Sequence, residues 1–205
     1  MKKNQVVFIG IIILFLTLFS FYFDSIIVNG ISSFRTAFLD DFFMGITILS
    51  SKLIIFLFLT ALFISNYNKR KWVLPIWFTL FLSAVISFLL KFSIQRPRPF
   101  QLGIVSLLPQ LEKASHLIWN FSFPSFRAML VFCAIPFISK KYPKFKYIWI
   151  TFAILVAFSR VYFGLHFLSD VIVGALIGYL IGASVIKKEK ENKFWRKIYN
   201  KISKK

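Results

Sequence analysis

Apolar residues dominate the chain in long blocks separated by short polar intervals. A helix needs roughly 20 apolar residues to cross the hydrocarbon core of a bilayer. Runs approaching that length fall near residues 5–23, 43–65, 72–92, 126–139, 147–163 and 169–186. The pattern predicts six transmembrane helices, the fourth short and dependent on flanking aromatics. No small-residue cleavage site follows the first run, so it is expected to remain as a helix rather than leave as a signal peptide. Between the first two runs, Ile31, Phe34, Phe38, Leu39 and Phe42 recur at helical spacing among polar residues. That spacing predicts an amphipathic helix lying in the outer interface.

The longest connection, from about 93 to 125, is read as a helical and loop segment between the third and fourth helices. It holds Pro97, Pro99, Pro109 and Pro124, and connections of this length are usually functional. After Ile186, the residues Phe194, Trp195, Ile198, Tyr199 and Ile202 share one helical face while lysines occupy the others. A basic amphipathic helix on anionic lipid fits that pattern. The organisation is therefore a six-span body over 1–186 and a basic amphipathic cytoplasmic tail over 187–205.

Composition makes the membrane reading firm. Of the 205 residues 58% are hydrophobic, 28 are Phe, and only 16% are charged. A soluble domain of this size has too little interior to hide that much apolar surface. The expected fold class is an all-α integral membrane protein. A single cysteine, Cys133, excludes an intramolecular disulfide.

The net charge of +19 would suit a nucleic-acid partner, but its placement points elsewhere. Six spans put both termini on one side. Lys2, Lys3, Lys69, Arg70, Lys71, Lys140, Lys141, Lys144, Lys146 and nine basic residues beyond position 186 share that side, making 18 of the 26 Lys and Arg. By the positive-inside rule this face is cytoplasmic. Its charge is an orientation signal and an attraction to the bilayer, and no nucleic-acid partner is expected. Lys52 lies within the second span. Arg35, Lys91, Arg96, Arg98, Lys113, Arg127 and Arg160 fall toward the outer face, where topology calls for no positive charge.

Three segments near that face carry chemistry. In the first, Lys91 and Arg98 are seven residues apart. They share a face if the third helix continues that far, or Pro97 and Pro99 make a stiff turn holding Arg96 and Arg98. The second is Pro124-Ser125-Phe126-Arg127 at the start of the fourth helix, where a serine hydroxyl and open backbone N–H groups suit an oxyanion. The third runs from Ser159-Arg160 through His166 to Asp170. A carboxylate one helical turn after a histidine can fix the imidazole tautomer and stabilise its charge, and a guanidinium fork suits phosphate oxygens. The parts describe a phosphate site with a nucleophilic or general-base histidine.

These segments resemble the type 2 phosphatidic acid phosphatase superfamily of membrane lipid-phosphate phosphatases. Its first motif, Lys, six residues, Arg-Pro, is matched by Lys91, Arg98 and Pro99. Its third, Ser-Arg, five residues, His, three residues, Asp, is matched by Ser159, Arg160, His166 and Asp170. The resemblance implies that His166 attacks phosphorus to form a phosphohistidine and that Asp170 orients and charge-stabilises it. Arg160, Lys91, Arg98 and Ser125 then bind phosphoryl oxygens, with Ser159 beside Arg160. Arg127, which stands outside the matched motifs, is a further candidate phosphate-binding position on the chemistry of its guanidinium alone. No metal and no cofactor are expected, because fixed cations stabilise the developing charge.

The second motif, Pro-Ser-Gly-His, is matched only by Pro124 and Ser125; Phe126-Arg127 replaces Gly-His. The family histidine protonates the leaving group, and arginine cannot. Three explanations stand. A phosphate monoester leaving a diphosphate, with a second pKa of about 6, needs no proton, so Arg127 would clamp a polyprenyl diphosphate. Alternatively His116 supplies the acid, or chemistry is lost and phospholipid binding retained. The expected function is hydrolysis of an undecaprenyl-type polyprenyl diphosphate at the outer face of the cell membrane. The alternatives are a phosphatidate or phosphatidylglycerophosphate phosphatase, a lipid phosphotransferase, or a non-enzymatic lipid-binding protein. Lys52 is left outside the site, Asp40-Asp41 are assigned to the polar face of the interfacial helix, and Pro75 and Pro136 are expected to kink their helices.

Overall fold

A computed structural model describes residues 3–112, 121–192 and 194–202, and every regular element among them is helical. Helix α1 (Lys3–Ser32) runs well beyond the predicted end at 23. It can do so because its first acidic residue, Asp24, is buried and bonded to Arg96 and Ser169 rather than exposed to lipid.

Helix α2 (Ala37–Leu49) begins after a turn, with Thr36 Oγ1 accepting the Leu39 N–H. The interfacial helix predicted over 31–42 is thus displaced: 31–32 close α1, and only the later part belongs to α2. Phe43 of α2 packs on Tyr162 with ring centroids 4.7 Å apart. Asp40 accepts a 2.7 Å hydrogen bond from the Tyr162 hydroxyl, so it is a tie to the bundle as well as a polar surface residue.

The predicted second span is not one helix. Helix α3 (Lys52–Ile64) leaves α2 at an angle of 59°. The Ser50-Ser51 pair explains the break, since it caps both new ends. The Ser50 N–H reaches the Ile46 carbonyl at 2.9 Å, and Ser51 Oγ accepts the Ile54 N–H.

Helix α4 (Val73–Ile94) has Pro75 in its first turn, where a missing N–H costs little, so this proline begins a helix rather than kinking one. The helix stops where Gln95 adopts a left-handed conformation at φ 50°. Lys91 and Arg98 therefore do not share a helical face; the proline-flanked turn carries Arg96 and Arg98 instead. A short helix α5 (Pro109–Glu112) lies in the long connection.

Helices α6 (Phe126–Lys141), α7 (Lys146–Tyr162) and α8 (Leu168–Asn192) form the centre, with Pro136 inside α6. Close approach of α6 and α8 depends on Gly174, Gly178 and Gly182, spaced one turn apart. A Cβ at Gly178 would sit 2.3 Å from the Met129 carbonyl oxygen, and one at Gly182 would sit 2.1 Å from that of Cys133. Small residues at this spacing let two membrane helices touch backbone to backbone. Near the end of the seam, the Ser125 N–H donates to the Asp170 carbonyl at 3.0 Å.

By length and hydropathy, Tyr67–Leu102 and Leu168–Asn192 are each able to cross a membrane, and α2 with α3 makes a third if the bent pair counts as one. At the end of the bundle remote from His166, the ammonium groups of Lys69 and Lys141 sit over the rings of Tyr142 and Trp72 at 3.5 and 4.0 Å. Helix α9 (Phe194–Ile202) folds back there, Trp195 packing on Phe78 with centroids 5.1 Å apart.

Candidate active site

His166 stands in the turn between α7 and α8, two residues before α8 begins, so it is not on a shared helical face with Asp170. The turn nevertheless brings its Nδ1 within 3.7 Å of Asp170 Oδ2. That is an electrostatic contact, longer than a hydrogen bond. On the other side of the ring, Arg98 Nη1 lies 3.4 Å from Nε2 and donates to the Leu165 carbonyl at 2.8 Å. A guanidinium only donates, so a nitrogen facing it is best left as an acceptor. The favoured tautomer carries its proton on Nδ1, toward Asp170, and keeps the Nε2 lone pair available. Burial, reinforced by Arg98, lowers the His166 pKa to about 3, so the imidazole is neutral at physiological pH.

Asp170 is fully buried and held by three partners. Its Oδ1 accepts from Arg96 Nη1 at 2.8 Å, while Oδ2 accepts the Phe167 N–H at 2.8 Å and the Ser122 hydroxyl. Ser122 is fixed in turn by its own N–H, which donates to the Arg96 carbonyl at 2.8 Å.

The phosphate-binding candidates surround this pair. Lys91, in the last turn of α4, donates to the Phe121 carbonyl at 2.6 Å. Ser125 is the N-cap residue of α6, but its hydroxyl makes no capping bond; Ser125 Oγ and His166 Nδ1 are buried without a hydrogen-bond partner among the described residues. Arg160, in the last turn of α7, is buried, and its guanidinium bonds to Ser159 Oγ and to the Thr47 hydroxyl. Ser159 therefore supports Arg160, accepting from its Nε at 3.1 Å while donating to the Val156 carbonyl at 2.7 Å. Arg127 reaches the same bend between α2 and α3, donating to the Thr47 carbonyl and, at 3.3 Å, to Ser50 Oγ. Arg98, Arg127 and Arg160 lie near enough to repel one another. Converging guanidinium groups, a lysine and an unpaired hydroxyl beside a neutral imidazole are suited to a phosphoryl group in flight.

His116 lies outside the described residues. Lys52 is not deep within a helix, because α3 starts there; its ammonium sits 5.3 Å from the Phe126 ring, between Ser125 and Arg127 in sequence. Arg35 is a fastener rather than a ligand, donating to the carbonyls of Tyr162 and Ser106 at 2.8 Å. The sequence reading missed Asp24, Ser122, Ser169 and the Thr47–Ser50 bend. Only Asp24 carried a usable signal, an acid within an otherwise apolar run. Among the described residues no cluster of three or more His, Cys, Asp or Glu is placed to hold a metal ion.

The PAP2 superfamily profile matches residues 72–194. The fold is similar to that of the first transmembrane PAP2 type phosphatidylglycerolphosphate phosphatase from Bacillus subtilis, with a TM-score of 0.70 and 24% identity, over 94% of this chain and 98% of that one. It is similar also to LpxE of Aquifex aeolicus, with a TM-score of 0.62 and 31% identity, over 78% of this chain and 92% of that one. An uncharacterized protein of Methanocaldococcus jannaschii is 32% identical over 110 residues, 52% of this chain, and the chain spans 40% of that relative's length.

Proposed function

This chain belongs to the PAP2 superfamily, and from that membership we propose that it is a six-span membrane phosphatase hydrolysing a polyprenyl diphosphate to the monophosphate. Both termini and the basic tail face the cytoplasm in this reading, and the site opens at the outer leaflet. In the first step the Nε2 lone pair of His166 attacks the terminal phosphorus, and the bridging P–O bond breaks. The electron pair departs with the polyprenyl monophosphate. In the second step water attacks the phosphohistidine, releasing inorganic phosphate and a proton and restoring the neutral imidazole. Asp170 stabilises the positive charge that His166 carries between the two steps. A departing monophosphate, with a second pKa of about 6, leaves without the acid that Arg127 is unable to supply.

The observation that carries this reading is the crowding of Arg127 with Arg98 and Arg160. Asp24 offsets Arg96, which leaves Lys91 and three guanidiniums opposite the single carboxylate of Asp170. A terminal phosphate carries about −1.5 to −2, and a diphosphate adds a further anionic oxygen for the third arginine. An apolar groove of about 250 Å³ supports a lipid substrate. It runs between α3 and α7, lined by Leu49, Ile54, Phe58, Trp149 and Phe152. Leu49 adjoins Ser50, the residue that Arg127 touches, so a chain in the groove would deliver its headgroup to the cationic cluster.

The test is phosphate release by detergent-purified protein in the presence of a chelator, with the H166A protein as blank. A polyprenyl diphosphate should be hydrolysed and phosphatidate much less so. Preference for phosphatidate would overturn the diphosphate assignment, and release that persists in H166A would overturn the nucleophile.

A further inference from the structure

Asp24 is an acid in the largely apolar stretch Phe21-Tyr22-Phe23-Asp24-Ser25-Ile26, yet its carboxylate is buried and accounted for. It accepts from Arg96 Nη2 at 2.8 Å, from the Ser169 N–H at 3.0 Å and from the Ser169 hydroxyl. Through its other nitrogen, Arg96 donates at 2.8 Å to both Asp170 Oδ1 and Ser169 Oγ. The guanidinium is stacked 4.0 Å from the Phe167 ring, and Phe167 is the residue between His166 and the start of α8. Three segments, α1, the turn after α4 and the start of α8, thus meet on one arginine.

We propose that Asp24 is a positioning residue for the phosphoryl-transfer site, acting through Arg96 on Asp170. The proposal rests on His166 as nucleophile but not on the diphosphate assignment. Two carboxylates share one guanidinium, so neither is neutralised by it completely. Asp24 holds half of the Arg96 fork and keeps it on the Oδ1 side. Asp170 Oδ2, on the opposite side, then stays a strong anion toward His166 Nδ1. This matters at the moment of attack, when the imidazole gains charge and the 3.7 Å separation must close to a charge-assisted hydrogen bond. Without the Asp24 charge, Arg96 would bind Asp170 alone and weaken it as the partner of His166.

A mere anchor for α1 would affect the amount of folded protein but not the chemistry of what folds. Asp24→Asn keeps the shape and an acceptor for Ser169 while removing the charge. We expect kcat per folded enzyme to fall about 10- to 100-fold, the cost seen when a group that orients a metal-ligating residue is lost and here carried over to Asp170, with KM changed by less than about twofold because Asp24 touches no substrate. Arg96→Gln in the same background should cost less than it does alone, since the pair acts as a unit. A nitrogen-15 spectrum of the phosphate-bound protein gives a readout independent of turnover: the His166 Nδ1 proton should move upfield in Asp24→Asn. Unchanged kcat together with an unmoved Nδ1 proton would overturn the proposal, as would losses that multiply independently. A wild-type protein inactive on the diphosphate but active on another phosphate ester would overturn the substrate assignment alone.

Discussion

The two ends of the bundle use positive charge in opposite ways. Five of the seven arginines, Arg35, Arg96, Arg98, Arg127 and Arg160, stand at the end that holds His166, whereas the other end is supplied almost wholly by lysine. Each of those five is bonded to a carbonyl, hydroxyl or carboxylate from a distant segment. At the other end, Lys69 and Lys141 lie over the rings of Tyr142 and Trp72. A guanidinium fork has fixed geometry and tolerates desolvation, while an ammonium is a mobile, well-hydrated point charge. One end is therefore built to hold cations still around an anion, and the other to be positive in a general way.

The hardest blow to this contrast would be a tolerant Arg160. Arg160→Lys keeps the charge but cannot span Ser159 and Thr47 together, so kcat/KM for phosphate release should drop about 100-fold, the cost of losing a fixed donor from a site of developing charge. Near-normal turnover would mean that charge alone suffices at both ends.

Next in size is the seam that joins the ends. Gly178→Ala forces a Cβ against the Met129 backbone and should destabilise the folded protein by about 1–3 kcal/mol, as overpacking does. Thermal denaturation in detergent would show it, and activity should fall as well, because the seam sets the meeting of Ser125 with Asp170. An unshifted midpoint would show that α6 and α8 are able to separate without harm.

A smaller and more local effect concerns the charge on His166. The His166 pKa lies at about 3, so lowering the pH from 7 to 5 stays above it and should leave this ring neutral; an ordinary imidazole near 6.5 would protonate over that interval. Nitrogen-15 spectra, assigned with a His116→Asn protein, should show a neutral Nδ1–H ring at pH 5. An imidazolium there would contradict the desolvated site. Smallest of all should be Lys141→Arg at the opposite end, expected within about 0.5 kcal/mol in stability, with activity unchanged.

Much of this architecture was legible from local pattern. All six predicted segments are helical in the fold, because apolar run length depends only on neighbours in sequence. The Ser159–Asp170 segment and the Lys91–Arg98 pair could be read as a phosphate site because side-chain chemistry and short spacings are also local. Helix limits were less legible. The break at Ser50-Ser51 was hidden inside an apolar run, and local pattern left open whether the helix continues to Arg98 or a proline-stiffened turn holds Arg96 and Arg98; α4 stops at Ile94, and the turn carries them. The placement of His166 before α8 shows a further limit: the four-residue spacing suggested a shared helical face, yet a turn brings the same two groups together.

What the sequence determined by itself is the set of apolar helix-forming runs and the chemical groups, from the Ser159–Asp170 segment to the Lys91–Arg98 pair, that those helices carry. These follow from hydropathy and functional groups, which each residue carries wherever it is placed. Only the tertiary structure decided that Asp24, Arg96 and Asp170 form one buried chain, that Arg127 and Arg160 share the Thr47 bend, and that Ser125 meets Asp170 across a glycine seam. Those pairings join residues far apart in sequence, and their strength comes from exclusion of water, which only the packed helices provide.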